Sequence, residues 1–461
     1  MKVLRNNILL MLTFFLLVGC QTSNQNFADE PKANPFGGLF DRFKLSVPEE
    51  ERISVRHVRP KFKAFKRANV SYNLLTAVKS HPSVQSAVSK VKAAKMNIKT
   101  VESGKSTQIS FQALGGLNRA NAANTFGAVG SINVSRLLFD YGALDSTILS
   151  QKKRHQLAKV QAEVQAETVA LRGYEVWINL HRQKKVMEVY DSGLSLAEPI
   201  LGQIKNISLS GLADKAMILK AQQDYSKLEV ANSKSSAELE GAKALFDELF
   251  PNGNTDSLEG LKARSITQGR TARKAMLKQS PLLRAQDFLI GAFEAEYKTL
   301  KAQQKANISM SAGVTAPAQD TIEDSSANVG ILVNYVFNDG GRLDSQIEGL
   351  KETIKEVKQQ KQAIERELES QLNVAIETYL GVQKTYQATL ELVNLSKEVR
   401  DTSRDQLVSG RSKIQDVLNA EVTLAENKIQ LVNAEAELQL ASYRIRALTH
   451  GLTKEIGWKP F

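Results

Sequence analysis

The sequence predicts a mainly α-helical protein with a small β part, built from one helix–hairpin–long helix–helix unit written twice. Three observations carry this: a self-match at one fixed offset, two pairs of alternating apolar and polar segments, and helical stretches too long for a globular core. Sliding the chain by 199 residues lays Pro82 on Pro281, Gly142 on Gly341 and Leu144-Asp145-Ser146 on Leu343-Asp344-Ser345. The same shift lays Ser210-Gly211 on Ser409-Gly410 and Ala221 on Ala420, with a one-residue slip near Phe139/Phe337. One offset held over this span marks a tandem duplication. The units are expected at 70–250 and 270–452, joined by a linker at 251–269 that contains PNGNTDSLEG, with a C-terminal tail at 453–461.

The strands come first in each unit after an opening helix, at about 106–139 and 306–337. Ile109, Phe111 and Ala113 alternate with Gln108, Ser110 and Gln112, and Gly130, Ile132 and Val134 alternate with Ser131, Asn133 and Ser135. In the second unit Ile308, Met310, Ala312 and Val314 alternate with Asn307, Ser309 and Ser311; Ile331, Val333, Tyr335 and Phe337 stand opposite Asn334. Period two over about ten residues indicates half-buried strands. The polar face is Ser, Asn and Gln with almost no charge, as expected of a water-lined strand whose other face meets lipid; a soluble sandwich has the same pattern.

Each strand pair ends in a strand-to-helix corner, FDYGALDS at 139–146 and FNDGGRLDS at 337–345. Gly142 and Gly341 permit the tight turn, and Asp145 and Asp344 place an acid early in the helix, where the dipole favours it. The helix after the first corner runs to Ser208 through Pro199, about 100 Å at 1.5 Å per residue. The returning helix of the second unit carries a heptad seam. Val417, Leu424, Leu431, Leu438 and Ile445 fill one position, and Ala420, Asn427, Ala434, Ala441 and Leu448 the other. Large against small residues over five heptads indicates a close-packed coiled coil. The matching first-unit seam, Ile218, Tyr225, Asn232, Leu239 and Phe246, is weaker.

Four strands cannot close a membrane barrel, whose smallest form has eight, and an open edge is not tolerated in lipid. The strands must therefore close across several chains.

The chain begins with a basic n-region (Lys2, Arg5) and an apolar run, Ile8 to Val18, too short to span a bilayer comfortably, so 1–19 is expected to be a signal peptide. Leu17-Val18-Gly19-Cys20 resembles the lipobox of bacterial lipoproteins, which makes Cys20, the single cysteine, the lipid-attachment residue. Gln21 in place of Asp favours the outer membrane. The formal net charge of +12, less Lys2 and Arg5, leaves +10, mostly interleaved with acids along helices as on a solvated face. One exception is RHVRPKFKAFKR, 56–67, in the arm 20–69; it is read as a solvated arm, with anionic lipid, lipopolysaccharide or cell wall as the other possible contact. No nucleic-acid partner is expected for an exported lipoprotein. His57, His81, His155, His181 and His450 show no metal-ligand spacing, and no phosphate loop or Ser-His-Asp arrangement occurs. No enzyme activity, cofactor or metal is expected.

The duplicated corners, the two strand pairs and the closing segment VSGRSKIQDVLNAEVTLAENKIQLVNAEAELQLASYRIRALTHGL (408–452) resemble the TolC-like outer membrane factor family over about 70–452. The resemblance implies a homotrimer with a 12-stranded outer membrane barrel that continues into an α-helical coiled-coil tunnel through the periplasm. It implies the exit duct of a tripartite system, with a periplasmic adaptor protein and an inner-membrane ABC transporter or proton-driven pump as partners. By that resemblance, Ser210, Gly211 and Leu212 with Ser409, Gly410 and Arg411 form the tip where the adaptor docks. Asp416 matches the first acid of the family's constricting ring; Asn419 replaces the second, and Lys413 is the basic partner. A first-unit acid would fall at Met217, so that salt bridge is missing or remade by Asp214.

Two rival readings differ in kind. A structural coiled-coil lipoprotein without a pore explains the helices and Cys20 but leaves the strands unused. Within the duct reading, lipidation favours drug efflux, whereas the DVLNAE…LTHG pattern favours type I protein secretion, which is ranked first.

Overall fold

The computed structural model describes residues 70–461 apart from 121–122, 210–214, 265–276, 318–324, 450, 460–461 and the single positions 252, 254, 256–257, 259 and 279. Cys20, the basic stretch 56–67, Asp214 and the tip residues Ser210, Gly211 and Leu212 lie outside the described residues.

The described elements are α1 (Val70–Ser80), α2 (Pro82–Glu102), β1 (Gln108–Ala120), β2 (Ala123–Phe139), α3 (Ala143–Leu209) and α4 (Lys215–Leu249). Then follow α5 (Pro281–Gln303), β3 (Asn307–Pro317), β4 (Ser326–Asn334), α6 (Arg342–Val408), α7 (Ile414–Leu448) and the short α8 (Leu452–Glu455). The long helices α3 and α6 are both 67 residues, and the returning helices α4 and α7 both 35. Their first and last residues keep the offset of 199. Pro199 sits inside α3 without ending it. β4 stops at Asn334, so Tyr335 and Phe337, read from their alternation as part of the strand, lie beyond it. They stack edge to face at 4.7 Å instead, which the period-two pattern cannot distinguish from a continued strand.

The four strands form one antiparallel sheet in the order β1-β2-β3-β4, so the two units meet at the β2–β3 pair. Below the corners, α3 is the central column. It packs against α2 and α4 of its own unit and against α5 and α7 of the other. Its counterpart α6 packs mainly against α5 and α7. α6 also carries exposed Leu392, Leu395 and Val399, spaced by three and four residues along the helix.

Three apolar clusters hold the helices. One lies where α1, α3, α4 and the C-terminal segment meet, around Leu74, Tyr174, Trp177, Phe246, Phe250 and Trp458. Trp177 sits 5.6 Å from Phe246 and 5.8 Å from Phe250, the latter edge-on. Tyr174 stacks on Tyr443 of α7 at 4.2 Å, and burial pushes its phenol pKa up. Gly173 brings α3 close to α1: a Cβ there would meet Leu74 at 2.5 Å. Nearby, the buried Glu167 accepts the backbone N–H of Leu452 (2.9 Å) and of Thr453 (3.0 Å) and the Thr453 hydroxyl (2.7 Å). One carboxylate of α3 thus caps α8, satisfying donors that a helix start otherwise leaves open. A second cluster joins α6 to α7 through Leu372, Ile376, Tyr379 and Leu438. The third closes the far end through Ile204, Leu228, Ile414 and Leu418.

The α7 seam is buried at Val417, Leu424, Leu438 and Ile445, and at Ala420, Asn427, Ala434 and Ala441; Leu431 and Leu448 are half-buried. In α4 the buried row is Ala221, Leu228, Ser235, Ala242 and Leu249. The expected seam is offset from it by three residues: of its members only Phe246 is buried, and Ile218, Tyr225, Asn232 and Leu239 are half-buried. The row facing α3 mixes small and large residues, and the expected seam lies beside it.

Candidate functional site

Facing residues on neighbouring strands project to the same side of a sheet, so the register fixes the two faces. Phe111 faces Ile132, which faces Val314; Ile109 faces Val134, which faces Ala312. Met310 faces Ile331, and Ile308 faces Val333. One face is thus an apolar surface across all four strands, and it is open: Phe111 is 71% and Val329 78% exposed. Phe111 lies across Gly130, whose Cβ position is 3.8 Å from the ring. The other face carries the row Asn133, Gly313, Asn328. A side chain at 313 would meet the two amide oxygens at 2.9 and 3.0 Å, so glycine is what lets both asparagines turn inward. Such a patch, apolar on one side and polar on the other, is large for a soluble surface. The hydrogen-bonding edges of β1 and β4 are unpaired among the described residues.

The corners contain Phe139 with Gly142, and Phe337 with Gly341. At the first, Tyr141 (φ 55°) and Gly142 (φ 80°) are both left-handed; at the second, Gly340 (φ 69°) and Gly341 (φ 80°) are. Two successive left-handed residues make a tight turn that only glycine enters without strain. Asp140 accepts the N–H of Gly142 (3.0 Å) and of Leu144 (2.6 Å). Asp339, its counterpart at the offset of 199, accepts those of Gly341 (3.0 Å), Arg342 (3.1 Å) and Leu343 (3.0 Å). These bonds, that from Leu343 foremost, hold the Asp339 carboxyl below its ordinary pKa. Asp145 and Asp344 stand in the first turns of α3 and α6, as the sequence places them; the caps ahead of them are Asp140 and Asp339. Asp145 instead pairs with Lys105, whose pKa this hydrogen bond raises, and Asp344 accepts from Gln304 at 2.7 Å.

At the far end, α6 turns into α7 through Ser409, Gly410 (φ 71°) and Arg411. The Arg411 and Ser412 amides both return to the carbonyl of Gln406, closing the helix end. Asp416 stands at the third position of α7 and accepts the Lys413 N–H and the Ser412 hydroxyl, each at 3.0 Å. Asn419 accepts from the Gln415 amide at 3.2 Å. Met217 is half-buried beside the third cluster. Sequence reasoning missed the strongest charge cluster here. Glu421 of α7, 4% exposed, is paired with Arg404 and lies 3.8 Å from Arg400, both from α6. At the offset of 199 the first unit has Leu201, Lys205 and Gln222, so this clamp belongs to the second unit alone. A basic pair four residues apart near a helix end, with an acid on the returning helix, was its signal. No grouping of His, Cys, Asp and Glu suited to a metal occurs among the described residues.

Residues 272–451 match the family model described as outer membrane efflux protein. The outer membrane efflux protein BepC of Brucella suis biovar 1 (strain 1330) is 20% identical over 398 residues, covering 83% of this chain and 85% of BepC. Among solved structures, CusC superposes with a TM-score of 0.71 at 14% identity, covering 84% of this chain and 93% of that one. VceC of Vibrio cholerae gives 0.69 at 15% identity, covering 83% and 96%. The open state of MtrE from Neisseria gonorrhoeae gives 0.71 at 12%, covering 83% and 89%. Residues 272–451 thus resemble the outer membrane efflux proteins, and the chain shares the fold of CusC, VceC and MtrE.

Proposed function

We propose that three copies of the chain close their sheets edge to edge into a 12-stranded barrel, forming the exit duct of a tripartite export system. The observation that carries this is the four-stranded sheet, whose edges are unpaired among the described residues and whose one exposed face is apolar. Lipid covers that face, and pairing of β4 with β1 of the next copy removes the edges. The side of α6 with Leu392, Leu395 and Val399 is then covered by the neighbouring copy, whereas α3 is surrounded by α2, α4, α5 and α7 of its own chain. Two copies would supply eight strands; the resemblance to TolC-like channels selects three.

In the barrel, Ile331→Arg puts a charge into lipid, at a cost of about 2–4 kcal/mol near the midplane, whereas Asn328→Arg points into water. Trimer that resists SDS without boiling should be depleted in the first variant and retained in the second, with altered conductance. Equal tolerance of both would remove the barrel.

The cargo is read as small compounds, because relatives matched over more than four fifths of the chain are described as efflux proteins or channels. The second reading, type I protein secretion, rests on the DVLNAE…LTHG segment. A deletion strain separates them: gained sensitivity to toxic compounds supports the first, and a missing extracellular protein the second.

The partners proposed are a periplasmic adaptor docking at Ser210–Leu212 and Ser409–Arg411, and an inner-membrane transporter. Cys20 is proposed as a lipid anchor additional to the barrel, so Cys20→Ser should lower assembly without abolishing channels; failure of labelled fatty acid to enter the wild type would remove this role. Asp416, Asn419 and Lys413 are proposed to line the constriction. Three Asp416 carboxylates around one axis attract cations. Asp416→Ala should weaken cation block in planar bilayers; an unchanged block with only a small loss of stability would leave Asp416 as the α7 cap alone.

A further inference from the structure

We propose that the first corner carries a binding site for anionic phospholipid head groups, built from Arg136, Lys305, Tyr141 and Phe139. The proposal rests on the barrel reading above, which puts the apolar face of the sheet in lipid and the corners at its periplasmic rim.

The residues converge by register and contact. Arg136 faces Met310, and Phe139, after the irregularity at Leu137/Phe139, faces Ile308. Met310 and Ile308 share the apolar face, so Arg136 and Phe139 share it too. The Phe139 and Tyr141 rings meet tilted at 59° with centroids 4.7 Å apart, and the Lys305 ammonium stands over the Tyr141 ring at 4.8 Å. All three of Arg136, Phe139 and Tyr141 are exposed. The basic groups near the corners differ in one respect. Lys105 is paired with Asp145 and Arg342 with Asp339, whereas Arg136 and Lys305 have no carboxylate partner among the described residues.

An arginine on a lipid-facing strand is tolerated only where its head reaches the interface. Arg136 is three residues from the end of β2, close enough for its stem to run along Phe139 toward the rim. Aromatic rings such as Phe139 and Tyr141 favour that same depth. Two unpaired cations beside two rings at head-group height match a phosphate held at the surface of an acyl layer. Tyr141 also keeps a left-handed backbone where the second corner has Gly340. Strain retained at one copy and absent from the other marks a position where the ring itself is used. The occupant is a phospholipid of the periplasmic leaflet, since the corners face the helical body and not the outer surface.

The test uses full-length protein extracted in mild detergent and incubated with phosphatidylethanolamine in excess over phosphatidylglycerol, with lipid A as a third component. Bound lipid is counted by native mass spectrometry. Wild type should retain phosphatidylglycerol enriched about fivefold over the mixture for each engaged cation. Arg136→Gln and Lys305→Gln should each reduce the enrichment, while Arg136→Lys and the distant Lys361→Gln keep it. Lys305 lies outside the strands, so its variant reads the site even if Arg136→Gln assembles poorly. Retention in the ratio of the mixture, or preference for lipid A, overturns the proposal while the barrel stands. Protein that forms no channel in vesicles of any composition overturns the barrel and the proposal together.

Discussion

Asp140 and Asp339 do the same task 199 residues apart, each turning a strand end into a helix start by accepting two or three backbone N–H groups. Loss of such a cap costs about 0.5–2 kcal/mol, so Asp140→Ala should fray the first turn of α3. Faster hydrogen exchange at amides 142–146, with the α3 interior unchanged, is the expected result. Asp339 adds a pH dependence. Its folded pKa lies below its unfolded value, so its contribution is complete above the ordinary carboxylate range and fades as pH falls through the folded value. The start of α6 should therefore loosen only below about pH 4, and Asp339→Asn should flatten that dependence. Both caps were within reach of the sequence, because the offset that pairs the glycines also pairs these aspartates. Asp145 and Asp344, in the first turns as expected, are engaged by side-chain partners and do not take the capping role. The Arg400/Arg404 spacing hinted at the Glu421 clamp, but its burial was not legible, since only the packing of α6 on α7 excludes water from it.

At the scale of elements, length and order were legible, while the side of each helix that packs was less so. The helices of each unit, their equal lengths and the strand pairs follow from the repeat, the glycines and the alternation. The α4 seam did not follow, because Ile218, Tyr225 and Leu239 look like a core until α3 comes near enough to require Ala221 and Ala242. Tyr335 and Phe337 failed for a related reason: alternation continues past the point where β4 has a neighbour to bond. Gly173 shows the same closeness from the other side. Alanine normally suits a helix better by about 1 kcal/mol, but here its Cβ would collide with Leu74. Gly173→Ala should destabilise by about 1–3 kcal/mol, read by chemical denaturation. Glu167→Ala should cost a similar amount, about 2 kcal/mol, by leaving the α8 amides open. Its particular sign is early proteolytic cleavage after residue 452 with the rest of the chain intact.

For the whole molecule, the unequal surroundings of α3 and α6 give the sharpest expectation. If a second copy fills the bare flank of α6, Leu395→Asp should produce a folded chain that sediments as monomer in detergent. Exchange at Glu398, an exposed acid on the same helix, should leave assembly unchanged. A Leu395→Asp variant that remains trimeric would show that this flank meets solvent and not another chain.

The common offset of every long element has a historical reading. For the twelve-stranded barrel proposed above, a gene of half the present length, encoding one hairpin and one long helix pair, would have needed six copies. Fusing two such genes left the ring its girth and halved the number of pieces to be gathered. It also released each half from being identical to the other, as the Arg400–Arg404–Glu421 clamp, facing Leu201, Lys205 and Gln222 in the sister half, records. In a ring of six identical parts every innovation is made six times; in a ring of three fused pairs it is made at alternate stations. One set of stations can then stay fixed while the other is free to move.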